Sequence, residues 1–200
     1  MAGDPARADP PITNPPDVEA AFQAAPPEMI AEILDGELHL MPRPRPLHAR
    51  TSFKLGARLD GPFDAGEGGP GGWVILDGPE LHLGPKPDKI VPDLAGWRRE
   101  HWPPNAFDED APGHIAVPPD WLCEVISSGT EATDRGKKLR IYRRERVGHV
   151  WLINPSLRTL EVYRLEGDHW ALLDTFEGDT KVRPEPFDAV ELDLGTLWPR

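Results

Sequence analysis

Hydrophobic and polar residues alternate in short runs along most of this chain, a pattern typical of strands that are buried on one face. Residues 28–42 predict two strands about the Asp35-Gly36 pair, which is a strong hairpin signal. Three more strand regions are predicted at 72–83, with a turn at Asp77-Gly78, at 89–97 and at 120–127. A meander of short strands closes the chain after residue 148.

Helical patterns separate these strands in three places. Asp17 is an N-cap candidate for a short helix that Pro26-Pro27 ends, and residues 47–59 suit an amphipathic helix. A capping box at 128–131 starts a helix that can run from Thr130 to Arg146. The order of elements predicts an α/β or α+β fold, with a mixed β-sheet flanked by helices and a C-terminal β-meander.

The content of proline and glycine limits the length of the elements and marks the loops of this domain. The chain has 200 residues, of which 25 are Pro and 19 are Gly, so its elements must be short and a helical bundle is excluded. We expect residues 1–16 to form a disordered Pro-rich leader and residues 17–200 to form a single domain. Residues 98–120 are predicted to be a loop-rich surface insertion.

The formal net charge of −12 argues against a protein that coats nucleic acid by bulk attraction, so any contact with nucleic acid would be local. Cys123 is the only cysteine, which rules out an internal disulfide and favours the reducing cytoplasm. The longest apolar runs are four residues, far short of the roughly 20 that cross a bilayer. A membrane partner is therefore not expected.

Two acidic residues stand in apolar strand contexts, where burying a charge is costly and usually has a reason. That reason is either a functional site or a structural contact, namely backbone hydrogen bonds to a strand-end aspartate or a buried ion pair of the glutamate. Asp93 follows Val91-Pro92, and Glu124 lies between Cys123 and Val125. If their strands are neighbours, the alternation of side chains brings both carboxylates to one face. Paired carboxylates hold Mg²⁺, which keeps several of its waters.

The position two after Glu124 is Ile126, so no lysine follows on the same strand face. The next helix offers a substitute, because a helix that packs antiparallel to the strand would return Lys138 to the level of Glu124. The alternative is an i,i+4 salt bridge between Lys138 and Asp134 on a solvated face. Lys137, the preceding residue, is a second candidate for the lysine beside Glu124.

Three segments together resemble a known family: EILDGELHLMPRPRPLHAR, VPDLAGW and CEVISSGTEATDRGKKLRIYRRERVGHVWLINP. They are similar to the bacterial putative restriction endonuclease family of the PD-(D/E)XK nuclease superfamily. Its members carry a Glu-Val-x-Ser segment, an Asp-x-x-x-Lys helix and a strand that ends in Asp-Pro. The resemblance covers about residues 17–198.

This resemblance implies a restriction-endonuclease-like core in which Asp93 and Glu124 bind Mg²⁺ or Mn²⁺ and Lys138 is a displaced catalytic lysine. It also suggests that Glu37, in the hairpin, and His48, at the start of the next helix, line the site. In the alternative interpretation, Glu37 is a solvated residue after a turn and His48 is a histidine at the end of a helix, and neither has a role in a site.

The predicted helix that carries Lys138 has a positive net charge, although the chain as a whole is acidic. Seven basic residues stand against three acidic ones between Glu131 and Arg146. Arg135, Lys137 and Arg140 are therefore candidates for contacts with a nucleic-acid backbone. A solvated helix face explains the same charges equally well.

The expected function is that of a metal-dependent endonuclease that hydrolyses phosphodiester bonds in DNA. A non-catalytic interaction or regulatory module that retains the nuclease fold is the main alternative, and a hydrolase of a smaller phosphodiester is a third hypothesis. A homodimer would suit an endonuclease, because a two-fold dimer is the simplest way to cut both strands of a duplex.

Overall fold

The computed structural model describes residues 17–199, so the expectation for the leader at 1–16 lies outside the described part. No helix within that part is long and apolar enough to cross a membrane. The structure confirms a mixed α+β fold, in which the strands form two main sheets and a two-stranded ribbon.

The larger sheet has six strands in the order β10-β9-β8-β7-β6-β3. The strands are β3 (Trp73–Asp77), β6 (Leu94–Arg98), β7 (Trp121–Val125), β8 (His149–Asn154), β9 (Thr159–Glu166) and β10 (His169–Glu177). Only β7 and β8 pair in parallel, and every other pair is antiparallel. A parallel pair needs a crossover connection, which here is the helical segment that carries Lys138.

The smaller sheet has the order β2-β1-β5-β4 and is built around the predicted hairpin. Its strands are β1 (Met29–Leu34), β2 (Glu37–Pro42), β4 (Leu81–Leu83) and β5 (Asp88–Ile90). Asp35 and Gly36 both adopt positive φ, the conformation that a two-residue hairpin turn of type I′ requires. The ribbon near the C-terminus pairs β11 (Lys181–Val182) with β12 (Leu192–Asp193).

The helices begin close to where the sequence predicts them. Asp17 caps α1 (Val18–Gln23) by accepting a hydrogen bond from the Ala20 N–H at 3.0 Å. The second helix, α2 (Pro46–Leu59), continues into a π-helical segment over Asp60–Ala65. The predicted helix after β7 is α3 (Glu131–Thr133), a π-helical turn over Asp134–Lys138, and α4 (Leu139–Arg144).

Both faces of the six-stranded sheet are covered by buried hydrophobic residues. Trp121 and Cys123 point into one core, which includes residues of α2, whereas Leu122 points into the other with Tyr142 of α4. The alternation along β7 therefore directs Glu124, two residues after Leu122, to the α4 side. The thiol of Cys123 is buried, which raises its pKa well above the usual range, so it is not a candidate nucleophile.

The predicted turn at Asp77-Gly78 divides the region 72–83 into β3 and β4, which belong to different sheets. The prediction of one strand over 89–97 is wrong in detail, because this region also divides between the two sheets. Pro92 supplies the reason for that break, since a proline cannot donate to a strand ladder. Asp93 consequently precedes β6 instead of lying within a strand.

The predicted insertion forms no helix or extended strand between Arg98 and Trp121. Its one regular contact is a parallel bridge between Ile115 and Leu81 of β4. The Ile115 N–H donates to the Glu80 carbonyl, and the His82 N–H donates to the Ile115 carbonyl, both at 2.9 Å. The insertion is thus attached to the edge of the smaller sheet.

Candidate active site

A pocket of about 220 Å³ opens where the smaller sheet meets β7, the start of α2 and the helical crossover. It contains five ionisable side chains that the sequence analysis discussed: His48, Asp93, Glu124, Asp134 and Lys138. These residues come from four separate segments of the chain, so only the tertiary fold brings them together.

Asp93 and Glu124 reach this pocket from adjacent positions at one end of the sheet. Leu94 pairs with Cys123, and Ala95 with Leu122, so the same antiparallel register places Asp93 opposite Glu124. The Val125 N–H donates to Asp93 Oδ2 at 2.7 Å. This hydrogen bond fixes the Asp93 carboxylate beside the end of β7.

Lys138 is buried and returns to Glu124, as the antiparallel packing of the helix predicts. Its Nζ lies 2.9 Å from Glu32 Oε1, 3.3 Å from Glu124 Oε1 and 3.6 Å from Asp134 Oδ1. The alternative of a solvated ion pair with Asp134 is wrong, because the Lys138 side chain is only 3% exposed. The π-helical turn over Asp134–Lys138 lies at this contact, and such turns are frequent at functional sites.

Glu32 is a member of this cluster that the sequence analysis missed. It is completely buried in β1, and its Oε1 accepts a hydrogen bond from the Val91 N–H at 2.9 Å. The criterion that singled out Glu124, an acidic residue inside an apolar strand, applies equally to Glu32 in the segment MIAEIL.

The cluster holds more negative than positive charge. Glu32, Asp93, Glu124 and Asp134 contribute four carboxylates, whereas Lys138, which contacts all of them except Asp93, is the one ammonium group that contacts the cluster within the described residues. Glu32 Oε2 is buried and has no hydrogen-bond partner there. Buried carboxylates need a counter-charge or a proton, so this donor set fits a divalent cation.

Burial and mutual repulsion shift the protonation equilibria of the cluster. Burial raises the pKa of Glu124 well above its usual range, and the charges of Asp134, Asp93 and Glu32 raise it further against the pull of Lys138. Burial also raises the pKa of Glu32 and of Asp134. For Lys138, burial lowers the pKa, but the surrounding carboxylates outweigh it and raise the pKa well above the usual range. Lys138 therefore remains a cation and cannot act as a general base.

Further hydrogen bonds orient the two carboxylates at the pocket. The Tyr142 hydroxyl donates to Glu124 Oε1 at 2.5 Å, on the same oxygen that Lys138 contacts. Glu124 Oε2 has no hydrogen bond to the described residues and remains available as a ligand. His48 Nε2 lies 2.5 Å from Asp93 Oδ1, so His48 lines the pocket and contacts its principal aspartate.

The structure places Glu37 and Lys137 away from this pocket. They form an ion pair with each other, and Lys137 Nζ also lies 3.3 Å from His39 Nε2. Neither is among the residues that line the pocket. Lys137 and Lys138 are consecutive residues of the helical segment, so their side chains point in different directions, and of these two lysines only Lys138 contacts the carboxylate cluster.

Arg135 and Arg140 also point elsewhere. The guanidinium of Arg135 binds both carboxylate oxygens of Glu161, at 2.8 and 2.6 Å. Arg140 is exposed, and its nearest acidic partner is Asp35 at 3.7 Å. The arginines at the pocket are instead Arg43 and Arg45, which precede α2 in the segment MPRPRP.

Comparison with known proteins identifies the class of this chain. A family model matches residues 18–195, and its description is "Uma2: Putative restriction endonuclease". The chain belongs to this Uma2 family, which confirms the resemblance to restriction endonucleases.

A solved structure, described as a putative nuclease belonging to DUF820 from Anabaena variabilis ATCC 29413, has the same fold. It matches with a TM-score of 0.71 and 19% identity over 88% of this chain and 94% of that chain. A search of curated proteins found no match.

The raised carboxyl pKa values predict an unusual pH dependence of stability. A carboxyl group whose folded-state pKa is raised binds more protons in the folded state, so its stabilising effect is lost as the pH rises above the unfolded value of about 4.5. In chelator, the melting temperature of the wild type is expected to fall relative to that of Glu124→Gln between pH 5 and pH 8. Thermal denaturation of both proteins measures the difference, and Mg²⁺ should reduce the fall in the wild type. A difference that is constant with pH would contradict the proposed repulsion.

Proposed function

We propose that this protein is a Mg²⁺- or Mn²⁺-dependent endonuclease that hydrolyses phosphodiester bonds in DNA. The observation that carries the proposal is the group of three carboxylates, Asp93, Glu124 and Asp134, that line one pocket together with Lys138. Glu32 lies directly behind them, where it contacts Lys138. An uncompensated acidic cluster is poorly suited to binding an anionic backbone unless a cation joins it. Family membership supports the same reaction class.

Asp93 and Glu124 are the residues that would hold the ion. Both line the pocket, and Glu124 Oε2 is available for coordination. Oxygen ligands from one or two carboxylates suit Mg²⁺, which otherwise keeps its waters. When bound, the ion would supply an activated water and charge neutralisation at the phosphoryl group.

The remaining side chains of the cluster have complementary roles in this proposal. Lys138 stays protonated, so it would stabilise negative charge that develops on the phosphoryl oxygens. Glu32, Asp134 and Tyr142 hold Lys138 and Glu124 in place through the contacts described above. His48 would position Asp93 through the contact between Nε2 and Oδ1.

The proposal is tested by incubating the purified full chain with supercoiled plasmid. We expect nicking or linearisation with Mg²⁺ or Mn²⁺ and none in excess chelator. Parallel reactions with single-stranded DNA, RNA and a small chromogenic phosphodiester identify the substrate class. Cleavage of the small diester alone would favour a different hydrolase, whereas no metal-dependent cleavage of any substrate would favour a non-catalytic module.

Arg45 is proposed to contact the backbone of the substrate. It is exposed at the pocket, and it has no ion-pair partner in the described part of the chain. Arg45→Ala in a Glu124→Gln background should weaken DNA binding and reduce the slope of log K against log salt by about 1, the value for one lost phosphate contact.

Arg140→Ala is the matched control for Arg45→Ala, because Arg140 is an exposed arginine outside the pocket. Fluorescence anisotropy at several salt concentrations measures both variants. If Arg45→Ala had the same slope as its parent and Arg140→Ala had a reduced slope, the phosphate contact would belong to Arg140 on the helix and not to Arg45.

A further inference from the structure

A second group of metal-ligating side chains lies outside the acidic pocket. Glu80, His82 and His114 each offer a ligand atom, and these three atoms all lie within 4.8 Å of one another. None of these residues lines the pocket that contains Asp93 and Glu124. The group joins β4 to the insertion between β6 and β7.

We propose that Glu80, His82 and His114 bind a divalent transition-metal ion of the zinc class, which holds the insertion on the edge of the smaller sheet. This site is independent of the proposed nuclease activity. Its chemistry differs from that of the acidic pocket, because two imidazoles and one carboxylate suit Zn²⁺, whereas Mg²⁺ prefers oxygen ligands alone.

The three ligand atoms lie close together. His82 Nε2 lies 2.6 Å from Glu80 Oε1, and all three atoms lie within 4.8 Å of one another. Two ligands that are each about 2.0–2.2 Å from one zinc ion are about 3.3–3.6 Å apart in a tetrahedral site. The His82 and His114 rings stack with centroids 3.7 Å apart and planes 10° apart, so one ring must turn out of the stack for both nitrogens to face one ion, and water would fill the fourth position.

The backbone holds these residues in place before any ion binds. The Ile115 N–H bonds to the Glu80 carbonyl, and the His82 N–H bonds to the Ile115 carbonyl. His114 is consequently fixed in register beside β4 by its immediate neighbour. Such preorganisation lowers the entropic cost of binding.

The local electrostatics permit a cation at this position. Lys89 stands opposite His82 in the ladder. Its ammonium group is neutralised by an ion pair with Glu19 and lies 4.5 Å over the Phe22 ring.

The test titrates Zn²⁺ alone into the full chain by calorimetry, in an Asp93→Asn/Glu124→Gln background that removes the acidic pocket as a competitor. We expect one zinc ion per chain. His114→Ala and Glu80→Gln should each lower the affinity at least about tenfold, a loss that even supporting residues of metal sites produce. His101→Ala is the matched control, because His101 lies in the same insertion but contacts Asp120 instead.

Limited proteolysis provides the second readout. Zinc should protect the segment 99–120 from cleavage in the background protein and in His101→Ala, but not in His114→Ala. Absence of zinc binding in the background protein, or an unchanged affinity in both His114→Ala and Glu80→Gln, would overturn the site. Zinc binding without protection would overturn the proposal that the ion holds the insertion in place.

Discussion

Glu124→Gln is expected to reduce the rate of plasmid cleavage by about 10³ or more and to leave the protein folded. The substitution keeps the shape of the side chain but removes the carboxylate that would share the ion with Asp93. A bound ion supplies several kcal/mol of transition-state stabilisation, and each 1.36 kcal/mol corresponds to a factor of ten in rate. Initial rates at saturating Mg²⁺, with the melting temperature as a check on folding, measure the effect.

Glu37→Gln is the matched control for this variant. Glu37 is a strand glutamate like Glu124, but it lies in β2 of the smaller sheet, and its carboxylate pairs with Lys137 and does not line the pocket. We expect Glu37→Gln to retain cleavage within a few-fold of the wild type. Equal activity of Glu124→Gln and the wild type would show that the Glu124 carboxylate is not a ligand of the catalytic ion.

Lys138→Met is expected to destabilise the metal-free protein by about 3–5 kcal/mol, the cost of breaking a buried ion pair by removing one partner. The variant leaves Glu32, Glu124 and Asp134 without their shared ammonium group. For a chain of this size the loss corresponds to about 6–20 °C in melting temperature. Thermal and urea denaturation in chelator measure it directly.

Lys137→Met separates this effect from the loss of any lysine on the same helix. Lys137 is partly exposed, and its pair with Glu37 is a surface salt bridge, for which the expected cost is below about 1 kcal/mol. A small and equal loss for both variants would show that Lys138 does not hold the buried carboxylates together.

The sequence predicts the approach of Asp93 to Glu124 because side-chain alternation is a local property of strands. Ala95 and Leu122 are cross-strand partners and point into the same core. Asp93 and Glu124, each two residues away, therefore lie on that same face, even though Asp93 precedes β6. The hairpin at Asp35-Gly36 and the cap at Asp17 were predictable for the same reason, since each depends on a few consecutive residues.

The place of Glu32 in the cluster and the partners of the basic helix were not predicted, because both depend on how separate elements pack together. Glu32 joins the cluster only because the smaller sheet packs against the crossover helix, where Lys138 Nζ reaches it at 2.9 Å. The basic helix also contributes less than its charge suggests. Arg135 is held by Glu161 and Lys137 by Glu37, and a count of charges along a helix does not reveal such partners.

The position of a bound ion tests most directly whether Asp93 and Glu124 form a metal site. A crystal of the full chain grown or soaked with Mn²⁺ should show an anomalous difference peak coordinated by oxygens of both Asp93 and Glu124, and the peak should be lost in Glu124→Gln. Mn²⁺ bound to the protein with no peak between these two carboxylates would contradict the proposed metal site and the nuclease chemistry that depends on it.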